Sequence, residues 1–407
     1  QEGEDQAASA MQIPVNTDDS VIKDYASAIE ADEAQAGIPS EQGPTQADSS
    51  PSGGILDFGS LRELQRKYDA AVGESGENST DAVSARHDLG VALTRLGQLN
   101  EAEPHMHAVL QARVSSLGKK HPLTAGTCHD LAILYEKKSD FDMALYFYEQ
   151  AIAGKQYERN NAVSVAATRA NMGSCYMQLG EHQKALSFLI NSYQVLRSNL
   201  GENHPVVAGT ARNLGCAYLE RHDHKKAIFY LNKALNVELR VGGEMSLDAA
   251  ATNTNIGLAL MDMGKLEEAL VRFEQVLDVR LNTLGERHPH VAMTVKNLGH
   301  VRLEMGEPDR ALKYYEKALR METEAHGAAS MHMDLATSRF NIARILLEKR
   351  DARAKRLFEQ AAATFALRLG SHHPYTKTAM EGVQQATLAS LRSPEGFDTL
   401  LPGDYSM

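Results

Sequence analysis

Sixteen histidines and three cysteines are the side chains of this 407-residue chain best equipped for metal ligation, proton transfer or nucleophilic attack. The tightest histidine clusters are His105-Met106-His107 and His222-Asp223-His224. On a helix, residues two apart point to different sides, so the first pair cannot close on one ion, and the second falls in an exposed turn. Four further histidines precede proline, at His121, His204, His288 and His373, with separations of 83, 84 and 85 residues. Such regular spacing assigns them to architecture. Cys128, Cys175 and Cys216 are odd in number, widely spaced and set in apolar helical patterns. They are expected to be buried thiols, with neither a disulfide framework nor a metal knuckle. No phosphate-cradling Gly-x-x-x-x-Gly-Lys-Ser/Thr, no His-Glu-x-x-His and no Gly-x-Ser-x-Gly occurs. Neither catalysis nor a metal or other cofactor is expected.

The elements that must position these residues are helices. Ala, Leu and Met are abundant, Trp is absent and only 12 prolines occur, against 43% hydrophobic and 23% charged residues. No apolar run approaches the roughly 18 to 20 residues that span a bilayer, so direct membrane insertion is not expected. The expected compartment is the cytoplasm, the alternative being an organelle interior reached with a targeting peptide since removed. Residues 1–55 hold eleven acids against Lys23 alone, which accounts for all but about one of the chain's net charge of −11. A near-neutral body with an acidic arm argues against nucleic acid as a partner, because phosphate contact needs a concentrated basic face. The arm is rich in small and polar residues and poor in apolar ones, so it is expected to be disordered. Leu61, Leu64, Tyr68 and Ala71 then recur at helical spacing, and 56–76 reads as a capping helix.

The rest of the chain repeats itself. A polar–apolar–small triplet recurs as Asp88-Leu89-Gly90, Asp130-Leu131-Ala132, Asn171-Met172-Gly173, Asn213-Leu214-Gly215, Asn255-Ile256-Gly257, Asn297-Leu298-Gly299 and Asn341-Ile342-Ala343, at spacings of 42, 41, 42, 42, 42 and 44. Twelve residues past the small one stands Ala102, Ala144, Ala185, Ala227, Ala269 or Ala311. Small residues at both places let two helices approach closely, and Met106, Tyr148, Leu189, Leu231, Phe273 and Tyr315 are expected to plug the gap between units. Leu-Gly-x-x-His-Pro blocks mark helix-to-helix junctions, with Gly just past one helix and Pro opening the next. At the alternate junctions Asp81, Ser164, Asp248 and Asp334 are expected to start the helices. The pattern predicts 77–391 as seven antiparallel hairpins plus a closing helix, followed by a flexible tail, 392–407.

These triplets and junctions resemble tetratricopeptide repeats, and the 42-residue period is similar to that of kinesin light chains and their relatives. The resemblance implies an all-α, right-handed α-α superhelical solenoid of about seven hairpins plus capping helices. It implies a non-enzymatic scaffold or adaptor that takes a partner peptide or protein segment on the concave face made by the first helix of each hairpin. A structural subunit of a large organellar or cytoskeletal complex is the alternative. No long heptad segment precedes the repeats, so the coiled coil that docks a motor subunit on its heavy chain is not expected. Carried over by position, Asn171, Asn213, Asn255, Asn297 and Asn341 form a ladder on that face; each either pairs with a peptide backbone or ties neighbouring helices together. Arg212, Lys296, His300 and Arg344, beside those markers on the same helices, complete the candidate set with Arg95 and Lys137. The last two begin a series seven residues past each marker, Arg95, Lys137, Gln178, Glu220, Asp262, Glu304 and Glu348, that passes from basic to acidic. It is either a graded groove that orients a peptide by charge or a solvated face of accidental order. One turn before each marker, where chaperone-binding relatives place Lys, the chain reads Ser84, Gly126, Ala167, Gly209, Ala251, Met293 and Thr337, so a carboxylate clamp is not expected. From the charge series follows a role for the acidic arm: it either folds back on the basic first two hairpins, near His87, Arg95, His129 and Lys137, and competes with ligands, as acidic segments do in related proteins, or it is a flexible tether.

Overall fold

The computed structural model describes residues 58–155, 161–327 and 330–391. The acidic arm and the C-terminal tail lie outside them. The chain divides between Val241 and Gly242 into two compact units. The N-terminal unit opens with α1 (Phe58–Ser75) and continues as four hairpins: α2 (Thr80–Arg95) with α3 (Leu99–Leu117), α4 (Pro122–Lys137) with α5 (Phe141–Lys155), α6 (Ala162–Gln178) with α7 (His182–Leu200), and α8 (Pro205–Leu219) with α9 (His224–Gly242). The C-terminal unit holds α10 (Leu247–Asp262) with α11 (Leu266–Leu284), α12 (Pro289–Glu304) with α13 (Pro308–His326), α14 (Met333–Glu348) with α15 (Arg353–Leu369), and the closing α16 (Pro374–Leu391). Among the described residues there is no strand. The fold is an all-α repeat.

Two recurring contacts make each hairpin. The alanines Ala102, Ala144, Ala185, Ala227, Ala269 and Ala311 are all completely buried, as are the plugs that follow them except Tyr315, at 1%. Where the small residue is glycine, at Gly90, Gly173, Gly215, Gly257 and Gly299, the plug lies on it within its own hairpin: a Cβ on Gly173 would stand 2.7 Å from Leu189 Cγ, and one on Gly215 2.6 Å from Leu231 Cγ. The plugs therefore close the hairpin itself, where the pattern had placed them between hairpins. The reason is that a side chain one turn past the alanine leans back over the facing helix at its closest approach.

Each of the seven turns within a hairpin carries one left-handed residue. Gly97, Gly180, Gly264 and Gly306 take it at φ 73 to 78°, and Ser139, His222 and Arg350 take it at 56 to 59° without glycine's freedom. At the junctions between hairpins, His121, His204, His288 and His373 are helix N-caps. Each accepts, at Nδ1, the backbone N–H two residues on at 3.2 Å. The intervening proline has no N–H to satisfy, so the cap reaches past it. The alternate helices start one or two residues earlier than the sequence pattern had it. Ser79, Ser246 and His332 are the caps of α2, α10 and α14. Asp81, Asp248 and Asp334 sit in the first turn, where a negative charge meets the positive helix end.

Candidate functional site

The first helices α2, α4, α6 and α8 bring the candidate residues of the N-terminal unit to successive rungs. At the first rung His87 Nε2 and Asp130 Oδ2 are 2.8 Å apart, a pair formed between α2 and α4. Burial opposes charge on His87, but Asp130 and Asp88 outweigh it, and the imidazole is pushed up to about 9. Burial raises the half-buried Asp130 carboxyl, but its partner His87 outweighs that and holds it below the usual carboxylate range. The neighbouring His129 has the opposite fate: burial, aided by Lys155, pulls it down to about 3. Its Nδ1 lies 3.3 Å from Thr168 Oγ1 and its ring 5.4 Å from that of Tyr148. One histidine is thus held as a cation and its neighbour as a neutral ring.

Arg95 is exposed and Lys137 half-buried at the ends of α2 and α4, with Lys137 Nζ donating to the Arg95 carbonyl at 3.5 Å. Asn171 is buried and bonds to Tyr148, whose hydroxyl donates to Glu136 Oε2 at 2.8 Å. Asn213 is half-buried and donates to Ser174 Oγ at 3.0 Å, linking α8 to α6. Arg212 is 4% exposed and faces Glu238 of α9 at 3.5 Å. Its guanidinium is an interior cation within the hairpin and not part of a surface ladder.

In the C-terminal unit the same positions divide in the same way. Asn255 is completely buried and Asn297 is 1% exposed, whereas Asn341 is half-buried. Lys296 is 5% exposed, with Nζ 2.8 Å from Glu322 Oε1 and 3.2 Å from Asp334 Oδ1. It too is interior. Burial pushes the Glu322 carboxyl up even so, outweighing the pull of Lys296. His300 and Arg344, each three residues past a marker, are half-buried on α12 and α14. Burial lowers the His300 imidazole against the raising effect of Glu304, 3.7 Å away, with Arg344 and Asp262 also in its field. Arg344 makes no hydrogen bond or ion pair with any described residue. Asp262, Glu304 and Glu348 end their helices exposed.

Three residues before five of the markers stands a threonine that the sequence reading passed over. Thr127, Thr168, Thr210, Thr252 and Thr294 are all buried. Arg113 of α3 donates to Thr127 Oγ1 and Arg280 of α11 to Thr294 Oγ1, both at 2.8 Å, and Lys155 of α5 reaches Thr168 at 3.5 Å. These bonds run from a second helix to the next first helix. Their signal was available as a threonine at a fixed offset from each marker.

Of the two tight histidine pairs the first divides as its helical spacing requires, whereas the His222 and His224 rings meet edge-on at 5.9 Å. His107 Nε2 lies 2.9 Å from the Tyr135 hydroxyl, while the His105 ring meets Tyr68 edge-on at 6.2 Å. The three cysteines are buried free thiols. Burial pushes Cys128 up to about 11 and Cys216 to about 12, which keeps both protonated and poorly nucleophilic at neutral pH.

Hairpins of this size, closed by a small residue under a plug and joined by capped junctions, define a helical-hairpin repeat protein. The tetratricopeptide repeat family model matches residues 81–156, 164–237 and 248–324. The chain belongs to the tetratricopeptide repeat family. No curated protein matches it in sequence. Among solved structures it is similar to the apo form of RapI, with TM-score 0.52 and 11% identity over 83% of this chain and 97% of that one. It is similar also to a Rap protein complexed with Competence and Sporulation Factor, with TM-score 0.50 and 15% identity over 81% and 96%. A putative kinesin light chain of Podosopora anserina with nearly identical TPR-like repeats matches at TM-score 0.44 and 21% identity, over 50% and 97%. At such identities the likeness concerns the fold alone. No described helix is long and apolar enough to cross a membrane.

Proposed function

We propose that this protein is a non-enzymatic scaffold that binds an extended peptide or protein segment along the first-helix faces of its hairpins. The observation that carries this reading is Arg344, a half-buried residue whose guanidinium makes no ion pair among the described residues and lies in the electrostatic field of His300. A guanidinium with no protein partner is open to a ligand carboxylate or backbone carbonyl, which it can bind by charge-assisted hydrogen bonds. In the C-terminal unit Asn341 extends this polar face and Asp262, Glu304 and Glu348 make it acidic; in the N-terminal unit Asn213, Arg95 and Lys137 supply a face of its own with basic character. Asn171, Asn255, Asn297, Arg212 and Lys296 act behind it, as the interior polar groups that hold the helices. The Cys128 and Cys216 thiols, kept protonated by burial, are poor nucleophiles at neutral pH. A peptide selected on the purified chain by display, then titrated by fluorescence anisotropy, tests the reading. Arg344→Ala should weaken binding at least tenfold while Arg320→Ala, on α13, leaves it unchanged. Equal effects of the two substitutions would remove the face from consideration.

A structural subunit of a larger assembly is the second reading. It is favoured by Tyr146 and Phe229, which stand 51% and 55% exposed on the second helices of the N-terminal unit. A stoichiometric complex that survives Arg344→Ala and is lost on Tyr146→Glu would support it over the first.

A further inference from the structure

The junction between α13 and α14 departs from its sisters. Three helices of the alternating type are preceded by a left-handed glycine, at Gly76, Gly243 and Gly327. In the first two, the serine cap, Ser79 or Ser246, is the third residue after that glycine; in the third, the cap His332 is the fifth. Those two added residues account for the 44-residue spacing of the last marker. The residue before the glycine is Ser75, Gly242 and His326 in turn, and the acid two past the cap is Asp81, Asp248 and Asp334. The repeat brings the first two of these positions together: a Cβ on Gly242 would stand 2.8 Å from Ser246 Cβ. At the longer junction both touching positions have become histidine, and the acid is retained.

We propose that His326, His332 and Asp334 form a binding site for one divalent transition-metal ion of the zinc class. One ligand atom from each lies within 4.8 Å of the other two. The imidazole rings stack at 3.8 Å and 10°, and Asp334 Oδ2 is 3.3 Å from His332 Nδ1. Donors around tetrahedral zinc are about 3.3 Å apart, given bonds of about 2.0–2.2 Å, so the set closes on an ion once the rings turn out of their stack and His332 either ligates through Nε2 or gives up its Nδ1 bond to the Asp334 N–H. Two imidazole nitrogens and one carboxylate oxygen select zinc, nickel or copper over calcium or magnesium, which prefer oxygen alone. The other acid oxygen, Oδ1, is 3.2 Å from Lys296, which orients the carboxylate from behind. Capping explains His332, whose Nδ1 accepts from the Asp334 N–H at 3.3 Å, but serine does that work in both sister junctions. Capping does not explain His326. The bound ion ties the end of α13 to the start of α14, and its remaining positions are left to water.

The sister residues supply variants that keep the cap. Zn²⁺ titrated calorimetrically into the metal-stripped full chain should bind at one equivalent. Co²⁺ should give visible d–d bands that Zn²⁺ bleaches. His326→Ser and His332→Ser should each weaken the site at least tenfold while melting, without metal, within a few degrees of the parent. Zn²⁺ should also slow proteolytic cleavage between residues 327 and 332 in the parent and not in the double variant. No saturable binding, or the same equivalent of Zn²⁺ held by the double variant, overturns the proposal.

Discussion

The two units use one backbone period and close it with different side chains. Five residues past the marker and twelve further on, three consecutive hairpins of the N-terminal unit set an aromatic pair: Tyr135 with Phe147, Tyr176 with Phe188, and Tyr218 with Tyr230, at 5.3 to 5.7 Å. In the C-terminal unit those places hold Leu260 and Arg272, then Arg302 and Tyr314. Arg272 donates to Asn253 and Arg302 to Glu307. Small residues, plugs and left-handed turns recur in both units, so the contacts that define the hairpin tolerate no such exchange. The repeat thus separates a fixed set of close approaches from positions where apolar stacking and polar bonding are interchangeable. The N-terminal unit has spent its free positions on aromatic area, and the C-terminal one keeps charged groups at its hairpin ends.

The buried ion pairs test that separation most severely. Glu238→Ala should destabilise the N-terminal unit by about 3–5 kcal/mol, because a buried charge loses its partner. Glu322→Ala should cost less, about 2–3 kcal/mol, because Lys296 keeps Asp334 at 3.2 Å. Hydrogen exchange resolved by segment separates the units, and the opposite order would show that Asp334 does not share the charge. Replacing Lys296 and Glu322 together by Met and Leu should restore most of the loss.

Acidity should divide the units next. The folded-state pKa of His87 lies above the ordinary value, near 9, so its stabilisation is complete below about 6.5 and is lost as pH rises through 9. At full extent this is on the order of 2–3 kcal/mol. His129, held near 3, acts on the other side: the unfolded ring protonates first, and stability falls as pH drops below about 6.5. Glu322 runs against it, because a carboxyl raised in the folded state gains stability as pH falls towards the ordinary carboxylate range. Segment-resolved exchange at pH 5, 7 and 9.5 should therefore show the N-terminal unit most protected at pH 7. In Asp130→Asn the loss between pH 7 and 9.5 should disappear.

Transplanting the aromatic pair offers a smaller effect. Leu260→Tyr with Arg272→Tyr should raise the stability of the C-terminal unit by up to about 1 kcal/mol, the usual worth of an aromatic pair beyond its area. Tyr218→Leu with Tyr230→Leu should cost the N-terminal unit at least as much. A transplant that destabilises would mean that the close approaches around Phe273 already fix the hairpin ends, and the two sets of positions would not be independent.

How much of this was legible follows from where each contact lies along the chain. The hairpins, junctions and buried alanines repeat at constant offsets, so the sequence displays them several times over. The histidine caps were visible as His-Pro blocks, though the reach past proline to the next N–H was not. Arg212 and Lys296 read as ladder residues because their partners Glu238 and Glu322 stand 26 residues later on a second helix, with no local sign of pairing. His87 and Asp130 are 43 residues apart and occur once, so no repetition announced them. The threonine series was there to be read, and its neutrality hid it among the charged candidates.

The left-handed turns give the gentlest test of which positions are fixed. Four of the seven use glycine, while Ser139, His222 and Arg350 hold φ of 56 to 59° with a side chain. The left-handed region costs a residue with a Cβ about 1 kcal/mol, and glycine escapes that cost but loses more freedom on folding. The two nearly offset, so Arg350→Gly should stabilise the C-terminal unit by no more than about 0.5–1 kcal/mol. Ser139→Gly should gain less, because a small polar side chain tolerates the region better than a long one. Gly264→Arg, the reverse exchange in the same unit, should lose what Arg350→Gly gains. If thermal melts show all three substitutions with one sign, the turns are not equivalent, and the bonds around each turn set its conformation more strongly than the residue does.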